Sequence, residues 1–193
     1  NQALDQARGS HVKLYVPQRG DVAALVRMAY TNAVERLARE SGRYAREEKL
    51  LDELAQTLGL SQPPRLIESY DISNWGDGTS VCGMVVFEDG KPKKSGYRRF
   101  KMKTVAGTDD YASMAEALSR RAGEYASGAG GQFGCLPDLI LLDGGRGQVT
   151  SVEKALAGTP LEKVPLFGMV KDDHHRTRAI VNGQGQEIAI SMH

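Results

Sequence analysis

Two apolar runs that each end in an aspartate constrain this sequence more than any other feature. They are LIESYDIS at 66–73 and LILLDGG at 139–145. Both are short and rich in Leu and Ile, which is typical of buried strands. Central strands of one sheet end side by side, so Asp71 and Asp143 are predicted to meet. The alternative is that one of them caps a helix while the other merely ends a strand.

Adjacent carboxylates repel each other unless a cation lies between them. Mg²⁺ and Mn²⁺ are hard cations that take oxygen ligands and assist phosphoryl chemistry. If Asp71 and Asp143 meet, they are therefore the candidate metal ligands of this chain, with Mg²⁺ or Mn²⁺ as the cofactor.

Composition places the chain among ordinary globular proteins. It has 193 residues, of which 40% are hydrophobic and 25% charged, enough for one large domain or one domain plus an arm. The net charge of +1 does not indicate a partner. Locally, however, a basic segment contains no acidic residue and comprises Lys91, Lys93, Lys94, Arg98, Arg99, Lys101 and Lys103.

Cysteine usage and hydropathy indicate the compartment. Cys82 and Cys135 lie far apart without metal-ligand spacing, which favours a reduced, cytoplasmic protein. No apolar run approaches the roughly 20 residues that span a bilayer, and no signal peptide opens the chain. The sequence starts without Met and stops inside a strand-like run, so we expect a fragment of a longer protein.

The first 62 residues are predicted to form a strand followed by a helical arm. A short strand is predicted over 11–16. A helix is predicted from Asp21 to Leu58, weakened by Gly42, with Gly59 as its C-cap. We interpret this arm as a docking or connecting helix with a solvated polar face.

Residues 63–193 are predicted to form one α/β domain. The predicted elements are strands at 66–72, 80–87 and 94–102, a helix at 111–125, a strand ending at Asp143, a helix at 147–157, a strand at 164–170 and a hairpin from 178 onward. The dipeptide Asp89-Gly90 is a hairpin turn signal. A hairpin followed by a β-α-β-α-β order predicts a mixed sheet flanked by helices. This is the element order of an RNase-H-like fold, in which the first strand and the strand after the first helix carry neighbouring aspartates.

Five motifs resemble the C-terminal nuclease half of the bacterial UvrC excinuclease family. In order they are IESYDIS at 67–73, YRRF at 97–100, TDDYA at 108–112, PDLILLDGGRGQ at 137–148 and KDDHHRTR at 171–178. The resemblance covers about residues 65–190, and VPQRG at 16–20 resembles the segment that precedes this half. It implies a cytoplasmic repair endonuclease that cuts damaged double-stranded DNA on the 5′ side of a lesion. Its implied partners are UvrB and, upstream in the pathway, UvrA.

The resemblance also implies roles for individual residues. Asp71 and Asp143 are implied to be catalytic, metal-side carboxylates. Asp110 matches a further position implicated in incision, although Asp109 or Asp110 could instead cap the following helix. The family's catalytic His follows in a later motif, and so does a helix-hairpin-helix DNA-binding module. We therefore expect the 193 residues alone to be inactive.

The candidate phosphate-binding residues are Gly144, Gly145, Gln148 and Lys171, with Arg98 and Arg99. The first three resemble a phosphate cradle at a helix N-terminus. Their motif lacks the Lys-Ser/Thr ending of a nucleotide P-loop, so no nucleotide cofactor is expected. The alternative is that the glycines simply turn a strand into a helix. The two arginines suit phosphate contact, although basic residues on an edge strand also prevent aggregation.

Four further residues have a chemistry that could serve the site. Strand alternation puts Glu68 on the opposite face from Asp71, which predicts a surface position. Trp75 could stack on a base or be buried at the end of the sheet. His174 and His175 are adjacent and point apart in extended chain, which disfavours chelation of one ion by both.

Two classes of function compete for this sequence, and a third, a nucleotide-binding α/β protein, is disfavoured by the missing P-loop lysine. The first is a metal-dependent DNA endonuclease. The second is a non-catalytic RNase-H-like module that binds nucleic acid or a partner. Asp71 and Asp143 discriminate between them, because a binding module has no reason to place two carboxylates at adjoining strand ends.

Overall fold

The computed structural model describes residues 6–11, 17–74, 80–105, 109–172 and 176–189. The strand predicted near the N-terminus falls largely on 12–16, outside the described residues, as do Trp75, His174 and His175. The chain divides into two compact units, Asn1–Arg46 and Glu47–His193. The candidate site lies in the second unit.

One long helix, α1, spans Gly20–Leu58. Its residues in the first unit carry exposed i,i+4 ion pairs such as Arg36–Glu40. Its last turns belong to the second unit, where Leu51 and Leu58 are buried. The helix ends as predicted at Gly59, whose φ of +67° allows the Leu60 amide to bond the Ala55 carbonyl at 2.9 Å.

Among the described residues, eight strands form one mixed sheet. They are β1 (Leu66–Asn74), β2 (Ser80–Glu88), β3 (Lys91–Pro92), β4 (Arg98–Lys101), β5 (Leu139–Leu142), β6 (Leu166–Lys171), β7 (Thr177–Val181) and β8 (Glu187–Ala189). Their order is β3-β2-β1-β5-β6-β7-β8, and β4 also pairs with β2. Strands β1, β5 and β6 are parallel, and the other pairings are antiparallel. The predicted mixed sheet with an N-terminal hairpin is confirmed.

The hairpin departs from its prediction in one respect. Asp89 and Gly90 form the expected tight turn, with φ values of +50° and +75°. The predicted continuous strand at 94–102 is wrong, because a 3-10 turn at Lys94–Gly96 separates β3 from β4. Pro92 offers no amide to the ladder, which is consistent with so short an edge strand.

Helices cover both faces of the sheet at its centre. Helices α2 (Asp110–Ala126) and α3 (Arg146–Leu156) pack on the face that carries Tyr70 and Leu142. The end of α1 packs on the opposite face, against Ile67 and Leu139. Strand β5 is uniformly apolar because its two faces meet different helices. Within the described residues, no helix has the length and apolarity needed to cross a membrane.

The predicted surface position of Glu68 is wrong. Glu68 does lie on the opposite face from Asp71, but that face is covered by α2 rather than by water. Its carboxylate is fully buried and pairs with Arg121 at 3.0 Å. It also accepts hydrogen bonds from Tyr70 (2.7 Å) and Gln132 (3.3 Å). A carboxylate tolerates this burial because it is paired and fully hydrogen-bonded.

Candidate active site at the ends of strands β1 and β5

Asp71 and Asp143 lie side by side, where the parallel strands β1 and β5 have their neighbouring carboxyl ends. The pairing of Tyr70 with Leu142 puts the next residue of each chain in register. The Asp143 amide donates to the Tyr70 carbonyl at 2.8 Å, which carries this pairing one residue beyond β5. Helix α3 is capped by Gly145, so the alternative that Asp143 is a helix N-cap is excluded.

The surroundings of Asp71 disfavour its negative charge. Its pKa is raised above the ordinary value, first by partial burial and then by the charge of Asp143 and a hydrogen bond with that carboxyl group. Lys171 and Ser73 oppose this rise. The two carboxyl groups therefore interact directly, and a cation between them would relieve their repulsion.

Lys171 supplies one positive charge at this pair. Its ammonium forms a short ion pair with Asp143 Oδ2, and this hydrogen bond raises the pKa of Lys171. Two carboxylates and one ammonium leave a net negative site. Lys171 was a candidate phosphate contact, and the structure places it beside both aspartates.

The donors of this site suit a hard divalent ion. Mg²⁺ is commonly held by one or two carboxylates, with water and substrate phosphate completing its shell. Asp71 and Asp143 offer the two carboxylates. No cluster of three His, Cys, Asp or Glu side chains that could hold a metal occurs among the described residues.

Asp109 and Asp110 divide between two roles at the start of α2. Asp109 is the N-cap and accepts a hydrogen bond from the Ala112 amide at 3.0 Å. Asp110 instead accepts from Asn74 Nδ2 at 2.8 Å, at the end of β1. This bond ties the first turn of α2 to the strand that carries Asp71.

Gly144, Gly145 and Gln148 line a cavity of about 460 Å³ together with Asp109, Asp110 and Tyr111. Gln148 is 8% exposed, and its Oε1 has no hydrogen-bond partner among the described residues. A Cβ on Gly144 would occupy the position of the Gln148 carboxamide, which explains the glycine there. The cavity lies at the N-terminus of α3, where backbone amides favour an anion.

Arg98 and Arg99 have different surroundings. Arg98 donates to the carbonyls of Ser95 and Tyr97, each at 2.8 Å, and stacks 5.5 Å from the centre of the Phe133 ring. Arg99 is exposed on the opposite face of β4. Arg98 is thus held by the protein, whereas Arg99 faces solvent.

Sequence reasoning missed the buried pair of Glu68 and Arg121. Besides Glu68, Arg121 binds the carbonyls of Phe133 (3.3 Å) and Cys135 (2.6 Å) and so fixes the loop before β5. The available signal was an arginine in the apolar stripe of α2, in line with Met114 and Leu118. A core position of that kind calls for a buried acid as partner.

Comparisons with known families place both ends of the chain in one family. A family model described as the UvrC RNase H endonuclease domain matches residues 55–193. A second, described as the UvrC Ribonuclease H-like domain, matches residues 1–40.

Similar curated proteins carry the name UvrABC system protein C. The protein from Alkaliphilus oremlandii is 44% identical over 97% of this chain and 32% of its own length. The protein from Clostridioides difficile is 44% identical over 92% of this chain and 28% of its own length. The chain spans about a third of the length of these relatives.

Solved structures give a weaker likeness. Endonuclease V of Ciona intestinalis, in complex with DNA containing an inosine, aligns with a TM-score of 0.42 and 17% identity, covering 72% of this chain and 58% of that one. Human ENDOV aligns with a TM-score of 0.40 and 10% identity, covering 64% of this chain and 67% of that one.

Proposed function

This chain belongs to the UvrC RNase H endonuclease domain family, and on that premise we propose that it makes the 5′ incision in damaged DNA. The single observation that carries the proposal is the pairing of Asp71 with Asp143 at adjoining strand ends. A module that only binds nucleic acid gains nothing from two adjacent carboxylates, which repel both each other and phosphate.

The proposed reaction is hydrolysis of one phosphodiester bond. The oxygen of water forms a bond to phosphorus and one P–O ester bond breaks. The proton that the water loses is balanced by one taken up by the leaving sugar oxygen, which gives one hydroxyl end and one phosphate end. Mg²⁺ or Mn²⁺ held by Asp71 and Asp143 would supply polarisation of the phosphoryl oxygen and activation of water. Asp71 and Asp143 would act on the phosphate through that ion, which they would hold at the ends of β1 and β5.

Lys171 and Asp110 take supporting roles in this proposal. The ammonium of Lys171, already bound to Asp143, offsets negative charge that accumulates on the phosphate during reaction. Asp110 holds the start of α2 to Asn74 and faces the cavity next to Gly144. The Gln148 carboxamide and the amides at the α3 N-terminus would receive a phosphate of the DNA backbone there.

The partners follow from the family as proposals. We propose that the substrate is damaged double-stranded DNA, that UvrB and UvrA act with this protein, and that it works in the cytoplasm. We also expect the 193 residues alone to nick DNA poorly, because the family resemblance assigns a catalytic His to a later motif.

The test is incision of a 5′-labelled damaged duplex by the full-length protein with UvrA and UvrB. Asp71→Asn and Asp143→Asn should each abolish the 5′ cut while lesion-dependent DNA binding survives. Asp52→Asn, which removes an exposed carboxylate on α1, is the matched control and should cut normally. Normal 5′ incision by either site variant would refute the proposal.

A further inference from the structure

Asp71 stands in a row with two residues of the neighbouring strands. Across β1, β2 and β4 the register pairs Asp71 with Gly83 and Gly83 with Arg99. Residues directly opposite each other project from the same face of a sheet. Neighbouring strands lie about 4.8 Å apart, so the Cα of Arg99 is roughly 10 Å from that of Asp71.

The middle of this row is open. Gly83 has no side chain, and a Cβ placed on it would meet nothing nearer than the Asp71 carbonyl oxygen at 3.9 Å. Packing therefore does not require glycine at this position. Gly83 and Arg99 line an open groove of about 540 Å³, next to Val85, which is 36% exposed.

The basic residues between Lys91 and Lys101 are engaged to different degrees. Lys91 pairs with Glu47 at 2.9 Å, and Lys93 pairs with Glu88 at 2.6 Å. Arg98 also lines the groove, but in the strand pairing it is opposite the buried Met84 and so belongs to the other face of β4. Within the part of the chain that the structure describes, no acidic side chain pairs with Arg99.

A second cation shares the face of Arg99. Lys101 is opposite Val81, which is opposite Ser73, so it forms the adjoining row of the same surface. Lys171 lies on the other flank of the two aspartates. The carboxylates thus have a cation on each side along the sheet.

We propose that the DNA strand being cut crosses the sheet from Asp71 over Gly83, and that Arg99 binds a phosphate adjacent to the scissile one. This inference rests on the proposed nuclease function and names how that site holds its substrate. The bare glycine gives the sugar-phosphate backbone room to pass close to the sheet. Arg99 presents a planar guanidinium, which suits bidentate contact with phosphate, and Lys101 adds charge beside it.

The competing explanation is that Arg99 only protects an edge strand from aggregation. A substrate-based test separates the two explanations. Damaged duplexes would carry one uncharged methylphosphonate, placed in turn at each phosphate near the 5′ cut. The full-length protein with UvrA and UvrB would be assayed as wild type, Arg99→Gln, Gly83→Val and Lys163→Gln. Lys163 is exposed before the start of β6, at the opposite end of the parallel strands from Asp71 and Asp143, and serves as the charge-matched control.

Wild type and Lys163→Gln should lose about tenfold in cutting rate when the phosphate facing Arg99 is neutralised. In Arg99→Gln, neutralising this one phosphate should no longer slow the cut, while the effects at the other phosphates should be unchanged. The salt slope of DNA binding should also fall by about 1. Gly83→Val should fold normally, since valine suits a strand, yet cut more slowly because its side chain fills the groove.

The inference would be overturned if neutralising each phosphate in turn changed the cutting rate of Arg99→Gln as it changes that of the wild type, with an unchanged salt slope of DNA binding. So would a Gly83→Val variant that cuts at the wild-type rate. Asp71→Asn, assayed in parallel, keeps the two proposals distinct. If it fails to cut while Arg99→Gln behaves as wild type, only the phosphate contact is wrong. If Asp71→Asn cuts normally, the proposed function itself fails.

Discussion

The backbone amide of Asp143 donates a hydrogen bond to the carbonyl of Tyr70 at 2.8 Å. This bond extends the pairing of β5 with β1 by one residue and brings Asp143 beside Asp71. The two carboxylates are consequently fixed by the sheet rather than by a loop. Sites built on strands hold their geometry more accurately than sites built on loops.

Removing one charge from this pair is expected to stabilise the chain near neutral pH. The pKa of Asp71 is raised in the folded state, so its contribution to stability is present below its ordinary pKa and is lost as pH rises through the folded value. Asp71→Asn should therefore raise Tm at pH 7 by less than about 3 °C, because water screens this exposed group. The gain should shrink as pH falls toward 4. Thermal unfolding from pH 4 to pH 8 without divalent ions checks this, and a lower Tm for Asp71→Asn at pH 7 would contradict it.

Lys171 is expected to compete with a divalent ion for Asp143. Lys171→Met removes the ammonium that binds Asp143 and should tighten Mn²⁺ binding several-fold. Lys163→Met removes a charge far from the site and should leave binding unchanged. The Mn²⁺ affinity of both variants would be measured by titration with Mn²⁺. Binding would be followed by the change in Tm and by the paramagnetic signal of the free ion. Weaker binding by Lys171→Met would show that the ammonium does not oppose the ion.

The buried pair of Glu68 and Arg121 should dominate the stability of the second unit. Arg121→Met leaves a buried carboxylate without its cation and should cost about 3–5 kcal/mol of unfolding free energy. Arg36→Met breaks an exposed i,i+4 pair and should cost less than about 0.5 kcal/mol. Urea unfolding of the two variants makes the comparison, and equal costs would refute the assignment.

Gly144 and Gln148 should be energetically coupled. A Cβ on Gly144 takes the place of the Gln148 carboxamide, so Gly144→Ala should cost about 1–3 kcal/mol. Gln148→Ala vacates that position, and the double variant should recover at least about 0.5 kcal/mol relative to additivity. Gly123→Ala is the control, because a Cβ there meets nothing within 4 Å and alanine favours the helix. Additive costs in the double-mutant cycle would mean that Gln148 does not occupy this position.

Local patterns predict most of the elements and both aspartates, although they did not reveal the 3-10 turn at Lys94–Gly96. Apolar periodicity, glycine at a helix end and an Asp-Gly turn act locally, so Gly59 and Asp89-Gly90 could be assigned from neighbours along the chain. Asp71 and Asp143 could be paired because the order of elements matches an RNase-H-like sheet, in which the strands that carry them are neighbours. The same reasoning left open which of Asp109 and Asp110 caps α2, since both suit an N-cap position equally.

What each face of the sheet meets is a property of tertiary packing, which local patterns along the chain do not reveal. Alternation correctly separated Glu68 from Asp71, but the sequence did not reveal that Arg121 and α2 cover the Glu68 side. Arg98 and Arg99 are adjacent residues of the same type. Because successive residues of a strand point to opposite faces of the sheet, the two arginines have different neighbours. The physical reason is that periodicity fixes which residues share a face, whereas burial and charge pairing depend on elements distant in the chain that pack against that face.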